Sequence, residues 1–298
     1  VIRGSTRLDT NRTTYFTRTP STAGNRRKWT ISVWIKNTNN YEENVSHTSN
    51  YTINAAGTWS PGNQTDGWSL STSEGTHNVK DSLHWAGGVH GVSTVYNYGS
   101  YQSCRDVSGW YNFVIQVDTE NSTAADRCIT WTNGYKNELK RTGSYPTITQ
   151  DRDMMWNNNS VQYLFNDGPS SGSYGYMDGY VCELYHIDGQ VLDASYFGFT
   201  DLETGIWRPK EYAGAITTGW FWPLASDIVD EFNSVSFTEN GGSTSFTSAG
   251  TNSFGLSDCA DYGAGGKYLS YAIYPATKWT IDFYVKFDDV TSGSNSYV

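Results

Sequence analysis

The nearest candidates for catalytic carboxylates are two pairs whose members stand two positions apart, the spacing at which strand side chains share one face. They are Asp118 with Glu120 and Asp151 with Asp153. Paired carboxylates are the groups that hydrolyse glycosidic bonds. However, the first pair stands where a predicted strand ends, and the second lies in a loop with Arg152 between its members. Neither belongs to a Glu-x-Asp-x-x-Glu run, so we expect no catalytic residues and no enzymatic activity.

The histidines and cysteines form no catalytic or metal-binding motif. The five histidines are scattered, the Gly-x-Ser-x-Gly nucleophile motif is absent, and no Cys-x-x-Cys pair occurs. His186 is interpreted as a packed strand residue. The acidic stretch 227–231 could hold calcium, but it lacks the oxygen-ligand spacing of a known calcium loop. We therefore expect no metal and no cofactor.

The four cysteines allow two interpretations. They are Cys104, Cys128, Cys182 and Cys259. Free and largely buried thiols are the first interpretation, which fits assembly in a reducing compartment such as the bacterial cytoplasm. The alternative is a Cys104–Cys128 disulfide, because both residues flank a predicted strand.

Aromatic rings are the remaining candidates for ligand binding. They make up 15% of the chain, and sugar rings stack on the faces of Trp and Tyr. The glycan-binding candidates lie in or just after the turn-rich segment 44–95; they are Trp59, Trp68, Trp85 and Tyr98. The alternative is that these rings fill the protein core or contact another subunit.

Charge and hydropathy exclude two classes of partner. The formal net charge is −10, and no basic run is longer than Arg26-Arg27-Lys28. Nucleic acid is therefore not expected as a partner, because phosphate binding requires a clustered basic surface. No apolar stretch approaches the roughly 20 residues of a membrane span, so membrane insertion is not expected either.

Alternating side chains predict the strands that would position these groups. In the segment 29–36, Trp29, Ile31, Val33 and Ile35 point to one face, and the residues between them point to the other. The apolar run 110–118 predicts a central strand, and Asn133-Gly134 predicts a tight hairpin. The segment 191–197 predicts a helix of about two turns. Many short strands without a βαβ rhythm indicate an all-β fold, an antiparallel β-sandwich.

An internal repeat indicates the domain organisation. Lys28-Trp29-Thr30-Ile31 returns 250 positions later as Lys278-Trp279-Thr280-Ile281. We expect one domain over residues 1–198, an aromatic-rich connector over 199–232, and the start of a second similar but incomplete domain over 233–298. The connector aromatics, from Trp207 to Trp222, are expected to pack between or against the sandwiches, or against another subunit.

Three stretches resemble laminin-G-like jelly-roll domains, of the concanavalin A-like type, in structural proteins of marine bacteriophages. They are Tyr15 to Thr30, Arg105 to Thr119, and Gly179 to Asp193, which continues to Tyr212. The resemblance covers about Ser5 to Tyr212 and returns from Ser234 to Val298. The segment 44–95 has no counterpart in it, so what is particular to this protein is expected there.

The resemblance implies a jelly-roll fold and a non-enzymatic structural component of a bacteriophage virion: a tail fibre, a spike or a capsid-surface appendage. It implies other virion proteins and further copies of the chain as partners, host surface glycans as a ligand, and a location on the particle surface. The alternative is a secreted laminin-G-like carbohydrate-binding adhesion protein. Asn-x-Ser/Thr triplets favour that alternative; they begin at Asn11, Asn44, Asn50, Asn63, Asn121 and Asn158.

Overall fold

A computed structural model of the chain describes residues 4–8, 14–37, 51–57, 64–70, 82–89, 93–140, 147–166, 176–216, 218–223, 238–240 and 245–248. The described residues form two antiparallel β-sheets that pack face to face. The predicted all-β jelly-roll sandwich is confirmed. Its only helical segments in the described ranges are two 3₁₀ turns, and neither could cross a membrane.

The strands are numbered in the order in which they follow one another along the chain. They are β1 (Gly4–Leu8), β2 (Tyr15–Arg18), β3 (Lys28–Asn37), β4 (Tyr51–Gly57), β5 (Gln64–Leu70), β6 (Ser82–Val89), β7 (Ser93–Ser103), β8 (Tyr111–Asp118), β9 (Cys128–Thr132), β10 (Tyr135–Lys136), β11 (Leu139–Lys140), β12 (Gln162–Leu164), β13 (Gly179–Asp188), β14 (Gly198–Thr200), β15 (Trp207–Pro209), β16 (Trp220–Trp222), β17 (Thr238–Asn240) and β18 (Ser245–Ser248). The 3₁₀ turns are Ala124–Asp126 and Ala194–Tyr196.

Each sheet mixes early and late strands of the chain. In the described residues, sheet A runs β10-β9-β8-β3-β13-β1-β18, and β16 also pairs with β13. Sheet B runs β11-β7-β6-β5-β4-β12-β2-β17, and β14 and β15 form a separate hairpin. Three strands of sheet B, β4 to β6, come from the segment 44–95. That segment is therefore part of the scaffold.

Strand β3 crosses the middle of sheet A and is buried on both faces. Trp29, Ile31, Val33 and Ile35 pack in the core between the sheets, as the alternation predicts. On the opposite face, Thr30 is buried by residues 190–216, which we call the cover segment. The Thr30 hydroxyl donates to the Gln190 carbonyl at 2.8 Å and accepts from the Leu192 N–H at 2.9 Å. These two hydrogen bonds fix the cover segment to sheet A.

The cover segment contains the predicted helix, which is shorter than expected. Instead of two turns over residues 191–197, a single 3₁₀ turn forms at Ala194–Tyr196, and the Asp193 side chain caps it by accepting from the Ser195 N–H. Leu192, Ala194 and Phe197 bury their side chains in a second apolar cluster on the outer face of sheet A. This packing against the sheet takes precedence over helix propensity, which is a weak preference.

Strand β13 changes its partner halfway along one edge. Its first residues pair with β1, and Leu184 to His186 pair with β16. Between these ladders the pairing register with β3 shifts, and Glu183 has a positive φ of 50°. The backbone N–H of Glu183 donates to the Pro223 carbonyl at 3.2 Å. This β-bulge lets one long strand serve two short neighbours.

Strand β16 lies within the segment predicted as a connector. Trp220 and Trp222 are buried in the core between the sheets, and Phe221 stacks on Tyr185 with ring centroids 4.1 Å apart. The first sandwich thus extends beyond residue 198. Strand β17 adds an edge strand to sheet B, and β18 adds one to sheet A. The second domain remains a prediction, because most of residues 233–298 lie outside the described ranges.

Two further local predictions are settled by the structure. The Asn133-Gly134 hairpin joins β9 to β10, and both turn residues have positive φ, 48° and 82°. Cys104, Cys128 and Cys182 are buried free thiols. The alternative of a Cys104–Cys128 disulfide is therefore wrong, and Cys259 lies outside the described residues.

We expect Val33→Asp to destabilise the protein by several kcal/mol. Val33 is fully buried between the sheets, so the substitution would bury an unpaired charge. Val107→Asp is the matched control, because Val107 is exposed in a loop. Thermal melts of both variants test the face assignment, and a wild-type melting temperature for Val33→Asp would contradict it.

Candidate functional site

The two carboxylate pairs meet at one end of the sandwich, where cations neutralise them. Lys28 Nζ lies 3.6 Å from Asp118 Oδ2 and 3.3 Å from Glu120 Oε2. Backbone hydrogen bonds bring the loop of the second pair to this end: Thr119 donates to the Arg27 carbonyl, and Asp151 donates to the Thr119 carbonyl. The four carboxylates therefore form a surface ion-pair cluster with Arg27 and Lys28.

This ion-pair cluster is poorly suited to acid catalysis. Arg27 Nε donates to Asp153 Oδ1 at 2.6 Å, and Arg27 also lies 3.7 Å from Asp151. The hydrogen bond from Arg27 lowers the pKa of Asp153 below its usual range. A catalytic general acid requires the opposite, a carboxyl whose pKa is raised by an apolar environment.

The aromatic residues predicted to bind glycans are core residues where the structure describes them. Trp68, Trp85 and Tyr98 are 2%, 1% and 4% exposed, and they lie side by side on β5, β6 and β7. The Trp68 and Trp85 rings stack with centroids 4.5 Å apart and planes 11° apart. Rings buried in this way cannot offer a face to a sugar in solvent. Trp59 lies outside the described residues.

Asp66 is a buried carboxylate that sequence reasoning missed. Its side chain accepts hydrogen bonds from the Tyr96 hydroxyl and from the backbone N–H groups of Met155 and Trp156. Burial raises the pKa of Asp66, and these hydrogen bonds oppose the shift. Both carboxylate oxygens are occupied, so Asp66 ties β5 to the segment 154–156 and is not a free catalytic group.

Two surfaces remain exposed and are candidates for binding. The first, the tyrosine surface, consists of Tyr15 and Tyr176, which lie beside the buried Tyr163 on the outer face of sheet B. Tyr15 lies 6.3 Å from Tyr163 and 6.0 Å from Tyr176 between ring centroids. Tyr15 and Tyr176 are partly exposed, whereas Tyr163 is only 7% exposed. Phe16 and Leu164, next to Tyr15 and Tyr163 in sequence, fill the core. The sequence analysis missed this surface; the alternation of Tyr15, Phe16 and Thr17 is the signal that could have found it.

The second, the hairpin surface, consists of Tyr135, Tyr196, Phe199, Leu202 and Ile206 around the β14–β15 hairpin. All five side chains are exposed. Trp207 lies beneath them and packs so closely on Gly134 and Gly198 that a Cβ at either glycine would come within 2.5 Å of its ring. The indole N–H of Trp207 donates to Asn112 Oδ1 at 3.2 Å. Trp207 thus fixes the hairpin to sheet A.

His186 lies inside the core between two indole rings. Its ring centroid is 5.9 Å from that of Trp156 and 5.4 Å from that of Trp220. Neither ring nitrogen of His186 has a hydrogen-bond partner among the described residues. His186 is therefore a packed strand residue, as predicted, and burial lowers its pKa to about 3. In the described ranges, no group of His, Cys, Asp and Glu side chains is arranged to hold a metal ion.

Comparison with known proteins finds distant structural similarity alone. No protein family model and no curated protein matches the chain. A heptameric SAP-like pentraxin from Limulus polyphemus is 14% identical, with a TM-score of 0.42, over 81% of this chain and 97% of the pentraxin. The CBM40 of a Ruminococcus gnavus sialidase is 12% identical, with a TM-score of 0.36, over 57% of this chain and 80% of that one.

A phage protein is also among the similar structures. Tailspike protein 2 of the Escherichia coli O157:H7 bacteriophage CAB120 is 14% identical, with a TM-score of 0.36, over 64% of this chain. The match spans 23% of the tailspike. These similarities are too distant to transfer a ligand, an activity or a partner to this chain.

We expect Tyr96→Phe to lower the free energy of unfolding by about 1–3 kcal/mol. The substitution removes the hydroxyl that donates to Asp66 and leaves a buried carboxylate oxygen without a partner. Tyr101→Phe is the matched control, because the Tyr101 ring is 56% exposed. Denaturant unfolding measures both variants, and equal stability would show that the Tyr96–Asp66 hydrogen bond does not stabilise the fold.

We expect His186 to make the fold sensitive to acid. Because its pKa falls to about 3 in the folded state and is near 6.5 in the unfolded chain, protonation favours unfolding. The contribution of neutral His186 to the free energy of unfolding is constant above pH 6.5. It is lost as the pH falls from 6.5 towards 3, at up to about 1.4 kcal/mol per pH unit. Melting temperatures of wild type and His186→Phe should diverge over this window. Parallel pH profiles would contradict the expectation.

Proposed function

We propose that this chain is a non-enzymatic structural component of a bacteriophage virion, such as a tail fibre, a spike or a capsid-surface appendage. The observation that carries the proposal is the position of the residues that resemble phage structural domains. The segment Gly179–Asp188 is the central strand β13, and seven consecutive residues in it, 181–187, are buried. The rest of that motif lies in the cover segment, which hydrogen bonds to Thr30 hold on sheet A. The resemblance therefore lies in scaffold residues.

The carboxylates support the non-enzymatic part of the proposal. The ion-pair cluster holds Asp118, Glu120, Asp151 and Asp153 against Arg27 and Lys28 at the end of the sandwich. The buried Asp66 is occupied by hydrogen bonds to its own chain. None of these five carboxylates is presented to a substrate in the way that glycoside hydrolysis requires.

The tyrosine surface supports contact with glycans at the host surface. The partly exposed rings of Tyr15 and Tyr176 offer apolar faces for stacking and hydroxyl groups for hydrogen bonds with sugar hydroxyls. The net charge of −10 disfavours nucleic acid as a ligand. The three free thiols are compatible with assembly in bacterial cytoplasm and location on the particle surface.

Particle composition tests the virion role. Antibodies raised against the purified chain should label intact phage particles in electron micrographs, and mass spectrometry of purified particles should recover its peptides in stoichiometric amounts. Recovery of the chain only from the culture medium, free of particles, would overturn the virion role and favour the secreted adhesion protein.

We expect no release of reducing sugar from β-glucans or other marine polysaccharides, because the paired carboxylates are neutralised at the surface. Asp118→Asn and Glu120→Gln are the diagnostic variants, and both should behave like wild type. Hydrolysis by wild type that either variant abolishes would overturn the non-enzymatic assignment.

We expect Tyr15→Ala and Tyr176→Ala to weaken glycan binding roughly three- to tenfold each, since each removes one stacking ring. A glycan array identifies the ligand, and titration calorimetry with the best glycan measures the loss. Tyr101→Ala removes an exposed ring outside the tyrosine surface and should leave the affinity unchanged. Wild-type affinity in both test variants would place the glycan site elsewhere.

A further inference from the structure

We propose that the hairpin surface is the contact through which two copies of this chain associate. Eight large hydrophobic side chains are markedly exposed in the described residues, and five of them belong to the hairpin surface. Leu202, at the hairpin tip, is 98% exposed. A concentration of exposed apolar side chains on one surface marks an interaction site, whereas single exposed residues are ordinary.

The apolar side chains face away from the sandwich because of the register of the hairpin. Thr200 pairs with Trp207, and Trp207 points inward onto Gly134 and Gly198. Phe199, which pairs with Arg208, therefore points outward, and so does Ile206 next to Trp207. The hairpin is held by its inner face, and its outer face is available to a partner.

The hairpin also has two backbone edges without a strand partner in the described residues. Sheet β14–β15 contains two strands, and neither pairs with sheet A or sheet B. The turn is closed internally, since Asp201 N–H donates to the Ile206 carbonyl at 2.9 Å and Gly205 N–H donates to the Asp201 carbonyl at 2.8 Å. A rigid hairpin of this kind presents its apolar side chains without a large loss of entropy on binding.

The charges around the hairpin surface fit a second copy. The charged residues next to it in sequence are acidic at Glu138, Asp193, Asp201, Glu203 and Glu211 and basic at Lys136, Arg208 and Lys210. Asp201 and Arg208 are paired within the chain at 2.5 Å, which leaves charges of both signs for a partner. A two-fold contact can place an acid of one copy, such as Glu203, against a base of the other, such as Lys136.

Other occupants fit this surface less well. An anionic membrane or a nucleic acid selects an excess of basic residues, which is absent here. A glycan selects flat aromatic faces with polar edges, whereas the tip of this surface is aliphatic, at Leu202 and Ile206. The proposal goes beyond the virion role, because association is a property of the purified chain and can be tested without particles.

Sedimentation velocity of the full chain over a roughly hundredfold range of concentration tests the proposal. Wild type should associate reversibly, and the double variant Leu202→Asp/Ile206→Asp should weaken association by roughly tenfold or more. Leu202→Asn removes the apolar side chain without adding charge and should weaken association in the same direction. Ser21→Asp adds one charge at an exposed residue outside the hairpin surface and should associate like wild type.

Cross-linking gives an independent measurement. In a Cys259→Ser background, Leu202→Cys should form an intermolecular disulfide under mild oxidation much faster than Ser21→Cys. The native Cys104, Cys128 and Cys182 are buried and should not contribute.

Three outcomes would overturn the proposal. A wild-type chain that stays monomeric over the whole range has no such contact. Unchanged association in the double variant would place the contact elsewhere. A monomeric wild type whose melting temperature falls in the double variant, but not in Ser21→Asp, would show that the hairpin surface is covered within its own chain.

Discussion

The spacing between the two sheets is set by large aromatic rings, and the rest of the structure depends on how these rings pack. Six indoles and several phenyl and phenol rings have almost no exposed surface: Trp29, Trp68, Trp85, Trp156, Trp220, Trp222, Tyr96, Phe16, Phe113 and Phe165. Rings of this size lose much packing energy if they shift by a fraction of an ångström, because interiors are close-packed. Edge-on contacts such as Phe16 with Trp222, 4.8 Å between centroids, join strands that are 206 residues apart. The sandwich is therefore held together mainly by ring contacts between distant parts of the chain.

Because aromatic rings fill the interior, few buried side chains are left that could catalyse a reaction or bind a ligand. The polar groups that are buried, such as Asp66 and Thr30, bond to their own chain and position segments against a sheet. The cover segment occupies the outer face of sheet A, which makes that side of the molecule a third layer. The candidate binding surfaces are consequently on the outside of the molecule, on the outer face of sheet B and on the β14–β15 hairpin of the cover segment.

The sequence predicted the parts of the fold that local pattern determines. The alternation in β3, the apolar run of β8 and the Asn133-Gly134 turn each depend on neighbouring residues, and each prediction was correct. The state of Trp68 and Trp85 could not be predicted, because their burial depends on a second sheet built from distant segments. Asp66 stands in a turn-rich stretch that resembles solvent-exposed chain, yet Tyr96 and the backbone of residues 155–156 enclose it. The meeting of the two carboxylate pairs likewise depends on long-range hydrogen bonds, such as those from the Asp151 N–H to the Thr119 carbonyl and from the Thr119 hydroxyl to the Arg152 carbonyl.

The pairing of β1 with β18 has a mechanical consequence. Gly4 pairs with Ser248, so the chain enters β1 and leaves β18 at the same point of sheet A. A pulling force applied at these two points would act across the ladder and break its hydrogen bonds one after another, like a zipper. A force applied parallel to the strands would instead load all the hydrogen bonds of the ladder together, and the ladder would withstand a far larger force. Under tension, the β1–β18 ladder would open first, while the ring-packed interior stayed closed.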